Sequence, residues 1–235
     1  LYDWPEMVPR LAALRAGAGL GDPMTAPALK QLAQDAPTPI RADAIGLLGR
    51  LNAGPTVDAA LREQLTSKEL GVRVAAYEAL IDRAEKLQMA RWMQQVAALP
   101  AAVRVTMPDQ GTPPEILEIA GDNIQGLRRR IISGKFILDL IPDGDPLIYV
   151  AQQGRPRIAL FGANLNMRRP ILVSAWSDRL MLVSDSPTDD FRMLYKTPEM
   201  MSESGDVIPG RMIQARVGSD LVSLIEFMAR RSTPE

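Results

Sequence analysis

The sequence predicts an α+β chain in which helical repeats precede an antiparallel β-rich sandwich or barrel that ends in a C-terminal helix. Three observations support this fold class. A pattern recurs after 32 residues in the first hundred, short β-rich runs replace the helical period after Gly134, and an amphipathic pattern lies near the end. We therefore divide the 235 residues into a helical repeat domain (1–100), a linker or irregular segment (101–134) and a β-rich domain (135–235).

The repeat consists of residues 28–48 and 60–80. The matching positions are Leu29 with Leu61, Ile40 with Val72, Arg41 with Arg73, Ala44 with Ala76, and Leu48 with Leu80. A fixed period of about 20–50 residues is typical of stacked helical units that cannot bury their apolar faces alone. Two helical pairs are fewer than a stable solenoid usually needs, so we expect them to depend on neighbouring elements.

Apolar spacing and capping residues place the individual helices. The predicted helices are 5–20, one opened by Asp22-Pro23, 40–51, 57–66, 72–83, 85–98, and a short one between Pro114 and Arg130. Asp is a good N-cap and Pro suits the first turn of a helix. Small residues at Ala44, Ala75 and Ala76 allow paired helices to approach closely.

The sequence pattern of the second half of the chain is typical of an antiparallel sheet. The predicted strands are 135–141, 146–151, 157–161, 171–176, 180–184, 191–196 and 212–217. Turn residues such as Asp143-Gly144-Asp145-Pro146 and Gln153-Gly154-Arg155-Pro156 separate them, which is typical of hairpins in a sandwich or barrel. Leu221, Leu224, Ile225 and Met228 then share one face of a helix predicted at 220–231.

The repeated units resemble HEAT-type repeats. In that family the second helix of each pair begins with a Val-Arg-x-x-Ala-x-x-Ala-Leu pattern, which Val72-Arg73, Ala76 and Ala79-Leu80 match. Ile40-Arg41 and Ala44 match it in the first unit. The resemblance implies an α-solenoid architecture and carries no information about a ligand.

The composition lowers the expectation of catalysis. The chain contains no cysteine and no histidine, so thiolate zinc sites are excluded and the commonest general base is absent. We expect no cofactor, no metal and no enzymatic activity. The 27 basic and 28 acidic residues are not segregated, which argues against nucleic acid as a partner. No apolar run is long enough to span a membrane.

Two kinds of charged residue are candidates for a site. Asp139, Asp143 and Asp145 could form an acid–base pair or an oxygen-ligand metal site, although the same spacing fits a hairpin turn. Seven arginines could bind an acidic partner surface, and the run Arg128 to Arg130 could equally bind phosphate or a polyanionic glycan. Solvated helix ends or strand edges would also use such arginines. These arginines are Arg128, Arg129, Arg130, Arg155, Arg157, Arg168 and Arg169.

The β segments 135–162 and 168–185 resemble the C-terminal region of flagellar P-ring-like proteins of the planctomycete type. The resemblance is strongest from Pro146 to Gly162. It implies a structural subunit that assembles with itself or with flagellar rod and envelope components, in the periplasm or cell envelope. It also leads us to expect that the chain is a piece of a longer protein.

Two functional hypotheses arise from these observations. The first is a non-enzymatic structural or protein-interaction module, which the repeat, the composition and the resemblance favour. The second is a small-molecule or glycan-binding domain that could act as a carboxylate-based enzyme. It depends on whether the three aspartates and the arginines of the β region share a pocket.

Overall fold

A computed structural model describes residues 2–3, 5–51, 54–98, 127–163, 165–175, 177, 179–187, 190–197, 199–201 and 207–230. The chain forms two compact units. The first unit comprises Leu1–Ile131 and Ile137–Ala163, and the second comprises Ile132–Phe136 and Asn164–Glu235. Most of the predicted linker, from 101 to 126, lies outside the described residues.

Helices form the N-terminal half, two mostly antiparallel sheets come next, and a helix comes last, which confirms the α+β class. The helices are α1 (Met7–Gly19), α2 (Ala26–Asp35), α3 (Thr38–Arg50), α4 (Gly54–Gln64), α5 (Leu70–Ala98) and α6 (Leu221–Arg230). A short 3-10 turn at Pro23–Thr25 precedes α2, where the Asp22 carboxylate accepts a hydrogen bond from the Met24 amide. Among the described helices, none is both long and apolar enough to cross a membrane.

The repeated residues occupy equivalent buried places in two helical pairs. Leu29 and Leu61 are fully buried on the first helices, α2 and α4. Ala44 and Ala76 are likewise fully buried on the second helices, α3 and α5. The glycine at position 49 lets α3 and α5 approach closely, because a Cβ atom there would lie 2.7 Å from the Cβ of Ala79.

The end of the helical region differs from the prediction. The sequence pattern predicts separate helices at 72–83 and 85–98, whereas α5 continues over 29 residues from Leu70 to Ala98. Residues 81–98 contain neither glycine nor proline, so nothing in the backbone interrupts the helix between the two predicted segments.

The first sheet has the strand order β1-β2-β4-β3. Its strands are β1 (Arg128–Ile132), β2 (Phe136–Ile141), β3 (Leu147–Ala151) and β4 (Arg157–Phe161). The expectation of a purely antiparallel arrangement is wrong here, because β2 pairs with β4 in parallel. The chain crosses from β2 to the edge strand β3 and returns antiparallel as β4, which occupies the place between them.

The first sheet and the helices share one core. Ile141, Ala159 and Phe161 of the sheet belong to the same buried cluster as the leucines of α2 to α5. The structure thus groups residues 137–163 with the helical half, and the boundary that we predicted at residue 135 differs from this division. Turn residues in the sequence indicate where each strand begins and ends. The side chains that pack against a strand determine the unit to which that strand belongs.

The second unit contains a fully antiparallel sheet with the order β10-β7-β6-β5. Its strands are β5 (Ile171–Ala175), β6 (Leu180–Ser184), β7 (Phe191–Lys196) and β10 (Met212–Val217), with a short pair β8 (Met200–Met201) and β9 (Val207–Ile208). Helix α6 packs Leu224 against Phe191 and Met193. Because the two sheets fall in separate units, the sandwich or barrel arrangement stays a prediction.

Asp220 caps α6, and its removal has a testable pH signature. Its carboxylate accepts a 2.8 Å hydrogen bond from the Ser223 amide. Hydrogen bonds from Ser223 lower the pKa of Asp220. A lowered pKa stabilises the fold above the unfolded-state pKa of about 4, and that contribution disappears as the pH falls through the folded-state pKa.

We expect Asp220→Ala to cost about 0.5–2 kcal/mol of unfolding free energy at neutral pH and less in acid. Denaturation of the full chain at several pH values would measure this difference. Asp220→Asn is the matched control, because it keeps a capping oxygen without the titrating charge. An Asp220→Ala penalty that did not shrink in acid would contradict the capping role of the charge.

Candidate functional site

A buried charge network joins the first sheet to α5. The Arg129 guanidinium donates from Nε to Asp139 Oδ1 at 2.8 Å and from Nη2 to Oδ2 at 2.9 Å. Tyr77 donates from its hydroxyl to the same Oδ2 at 2.7 Å. The side chain of Asp139 is 0% exposed, so within the described residues these donors replace water around its carboxylate. A bidentate contact, in which two guanidinium nitrogens each donate to one carboxylate oxygen, is the strongest arrangement for such a pair.

Strand alternation brings these residues together. Ile137, Asp139 and Ile141 lie on the same side of β2, and Asp139 reaches Tyr77 on α5. Arg129 lies on the neighbouring strand β1 with its side chain directed inward, between the exposed Arg128 and Arg130. The sequence therefore places one carboxylate and one guanidinium side by side within an otherwise apolar layer.

The environment fixes the protonation states of the network. Burial alone would lower the pKa of Arg129, but the hydrogen bonds and charge of Asp139 raise it above its ordinary value. Burial, and then the Asp139 charge, raise the pKa of Tyr77 well above its ordinary value. Tyr77 is thus a neutral hydrogen-bond donor and Arg129 a permanent cation, so neither is poised to exchange a proton near neutral pH.

Aromatic rings and a second arginine surround the network. The Tyr77 ring makes edge-on contacts with Tyr149 and Phe161, with ring centroids 5.8 and 6.1 Å apart. The Arg73 guanidinium lies 5.7 Å from the centre of the Phe161 ring. Arg73 Nη1 also donates to the main-chain oxygen of Asp145 at 2.5 Å. These contacts attach the β2–β3 turn and β4 to α5.

Two further pairs lie between the helices and the sheet. Tyr149 on β3 donates its hydroxyl to Glu78 Oε1 at 2.8 Å. Arg157 at the start of β4 pairs with Glu85 at 3.4 Å. Together with Tyr77 and Asp139, these residues form a row of polar contacts along α5, and this row holds the sheet in register against the helix.

The two matched arginines of the repeat, Arg41 and Arg73, bond to different structures. Arg41 in the first pair donates to Gln64 and Glu69, which flank the turn of the second pair. Arg73 in the second pair donates instead to Asp145 in the turn between β2 and β3. The matched arginines therefore bond to a helical pair in one case and to the first sheet in the other.

The three candidate aspartates are not brought together as a site. Asp143 and Asp145 are exposed in the turn after β2, but this turn does not close a hairpin, because β3 pairs with β4 and not with β2. Asp139 is enclosed and paired with Arg129. This placement gives no support to a carboxylate-based acid–base pair. Within the described ranges, no group of three or more acidic side chains is placed to hold a metal ion.

The seven candidate arginines fall into an internal and an external group. Arg129 and Arg157 are engaged with Asp139 and Glu85, so they serve the interior of the first unit. The others are exposed or half-buried, namely Arg128, Arg130, Arg155, Arg168 and Arg169. Arg128 to Arg130 lie on strand β1, so both the predicted short helix through Arg130 and the solvated helix end are wrong over these residues. Partner binding by the external arginines stays a prediction.

The feature that sequence analysis missed is an exposed apolar edge. Strand β3 is the last strand of the first sheet, and it exposes Ile148 at 55% and Val150 at 56%. The alternate residues Leu147 and Tyr149 pack against the core. An apolar run such as Leu147–Ala151 is typical of a strand buried on both faces, whereas the exposure of Ile148 and Val150 shows that one face of β3 is open.

No protein-family model matches the chain, and no curated protein matches its sequence. The function is therefore inferred from the residues and their geometry.

Proposed function

We propose that this chain is a non-enzymatic structural module that joins protein subunits through the edge strand β3. The observation that carries the proposal is the open apolar strand of Leu147–Ala151, with Ile148 and Val150 more than half exposed. Sheet edges in monomeric proteins usually carry charges, prolines or bulges that prevent pairing with another chain. Strand β3 has no charged residue and no proline between its ends.

The internal contacts support a rigid base for such an edge. Tyr149, at the centre of β3, is held from the helical side by Glu78 and by the Tyr77 ring. Strand β3 also pairs over all five residues with β4. Among the described strands β3 pairs with β4 alone, so its outward amides and carbonyls are held in one conformation and a partner strand could add to them with little loss of entropy.

In this proposal, the helices of the N-terminal half form a stack of HEAT-like pairs, α2–α3 and α4–α5. The equivalent burial of the residues 32 positions apart supports this assignment. In the same proposal, the setting is the one that the resemblance implies: a P-ring-like subunit in the periplasm or cell envelope that assembles with itself or with flagellar components. The helical pairs then act as a base on which the first sheet is mounted.

The proposal predicts concentration-dependent association of the purified chain. Replacement of both Ile148 and Val150 by lysine should weaken this association by at least about tenfold, because charged lysines on an edge strand disfavour the addition of another strand. Sedimentation velocity over a range of protein concentrations, supported by chemical crosslinking, would measure it.

Val8→Lys is the matched control, because Val8 is an exposed apolar residue on α1 and lies outside the edge. It should associate as the unaltered chain does. A chain that stays monomeric at millimolar concentration would contradict the proposal, as would a double-lysine variant that associates unchanged.

The glycan-binding or carboxylate-enzyme alternative has less support. It needs Asp139, Asp143 and Asp145 to share a pocket with arginines, whereas the one buried aspartate is already paired and the other two are turn residues. No second function is therefore proposed.

A further inference from the structure

The second sheet has one face packed against α6 and one face directed outward. Leu182, Phe191, Met193 and Tyr195 form the packed face with Leu224. The alternate residues of each strand form the outward face, which we call the cationic face. Its members are Leu172, Ser174, Met181, Val183, Arg192, Leu194, Lys196, Met212, Gln214 and Arg216.

Positive charges are set close together on the cationic face. Arg216 on β10 is directly opposite Arg192 on β7. Like charges at such positions repel each other and are usually avoided. Asp185 forms an ion pair with Arg192, whereas Arg216 and Lys196 make no ion pair with any residue in the described part of the chain. Within the described part of the chain, the ten positions of the face thus carry three cations, and the neighbouring Asp185 supplies a carboxylate to Arg192.

Apolar side chains lie among these cations. Leu172 is 68% exposed and Met212 is 59% exposed, on opposite edge strands of the sheet. Leu194 lies between Arg192 and Lys196 on β7 and is partly exposed. The arrangement along β7 is therefore cation, apolar, cation, with the two cations about 13 Å apart at 3.3 Å per residue.

A face that combines cations with exposed apolar side chains favours some classes of partner over others. Among the described outward positions there is no aromatic side chain, since Phe191 and Tyr195 point to the core, and stacking of nucleic acid bases needs such rings. Purely electrostatic binding would not need the exposed Leu172 and Met212. A partner that offers carboxylates beside apolar side chains would neutralise the cations and cover these residues at once.

We propose that the cationic face binds an acidic amphipathic segment of a partner protein. Its carboxylates would meet the Arg192–Arg216 pair at one end and Lys196 at the other, and its apolar side chains would cover Leu194 and Met212. A separation of about 13 Å corresponds to about nine residues of a helix. This surface lies in the second unit and is independent of edge strand β3.

The test uses the full chain and a fluorescent synthetic helical peptide with glutamates and leucines on one face. Fluorescence anisotropy should show saturable binding that weakens with salt, and a peptide with glutamine for every glutamate should bind far more weakly. Lys196→Gln and Arg216→Gln should each weaken binding by about two- to fivefold, and the double variant should weaken it further.

Arg50→Gln removes an exposed cation at the end of α3 and should leave the affinity unchanged. The double lysine variant at Ile148 and Val150 should also bind the peptide normally, which separates this surface from β3. Equal binding of the two peptides, or equal loss with Arg50→Gln, would overturn the proposal. Stronger, Lys196- and Arg216-dependent binding to phosphatidylserine vesicles than to the peptide would overturn it in favour of a membrane surface.

Discussion

Asp139→Asn is expected to destabilise the first unit by about 3–5 kcal/mol, because it leaves the Arg129 charge buried without a counter-charge. The guanidinium is enclosed between β1 and β2, and two of its nitrogens bond to the carboxylate that the substitution removes. An asparagine side chain has nearly the same shape, so the loss would arise from charge rather than from a cavity. Urea denaturation of the full chain, monitored by circular dichroism, would measure the change.

A double variant separates the cost of a lone buried charge from the worth of the pair. Arg129→Met with Asp139→Leu removes both charges and keeps apolar volume, so it should be clearly less destabilising than either single change. Tyr77→Phe removes only one hydrogen bond to the carboxylate and should cost about 1–3 kcal/mol. If Asp139→Asn cost no more than a surface substitution, the network would not be what fastens the sheet to α5.

This network also shows where sequence analysis succeeds and where it stops. Asp139 lies in Phe136–Ile141, a strand that is otherwise apolar, and a charge in such a run needs an internal partner. The sequence therefore indicated that Asp139 needs a partner, but it did not identify the partner residue. Arg129 is hidden in a run of three arginines that is typical of a solvated segment, and Tyr77 lies within a repeat helix. Only the packing of β1 and β2 against α5 joins the three.

Strands β2, β3 and β4 were predictable because local chemistry defines them, whereas β1 was missed, since a short helix was predicted up to Arg130. Glycine and aspartate turns bound β2, β3 and β4, and their positions agree with the prediction within one residue. The strand order was not predictable from the same residues. Strands β2 and β4 are separated by β3 in sequence, and their parallel pairing depends on which strand can cover the helical core. The position of β3 at the edge of the sheet is a consequence of that order.

The helical half gave a similar result. Matched residues 32 positions apart were expected to be buried together, and Leu48 and Leu80 are both fully buried. The continuation of α5 to Ala98 was missed, although residues 81–98 lack any helix breaker. Arg41 and Arg73 occupy equivalent positions but bond to different structures, since a sheet comes after the second pair. A repeat predicts equivalent positions, but it does not predict which structure its last unit will pack against.

Arg83→Met is expected to lower the unfolding free energy by about 3–5 kcal/mol, the second of the two largest effects. Arg83 on α5 is buried and donates from Nε to Asp58 Oδ1 at 2.5 Å. It also donates to the main-chain oxygens of Leu51 and Gly54, beside the end of α3 and the start of α4. Methionine has similar length but no donor, so the buried Asp58 carboxylate and the two oxygens would lose their partner.

The Arg83 side chain joins the two helical pairs, because it lies on α5 of the second pair and donates to Leu51 after α3 of the first. Leu51 also precedes Arg83 by one repeat period. The loss should therefore appear as lower cooperativity of the helical half as well as lower stability. Urea denaturation gives the free energy, and its dependence on denaturant reports the cooperativity. Arg62→Met, at an exposed position of α4, is the matched control and should change stability by no more than about 0.5 kcal/mol. An Arg83→Met variant as stable as this control would show that the pairs are held together by apolar packing alone.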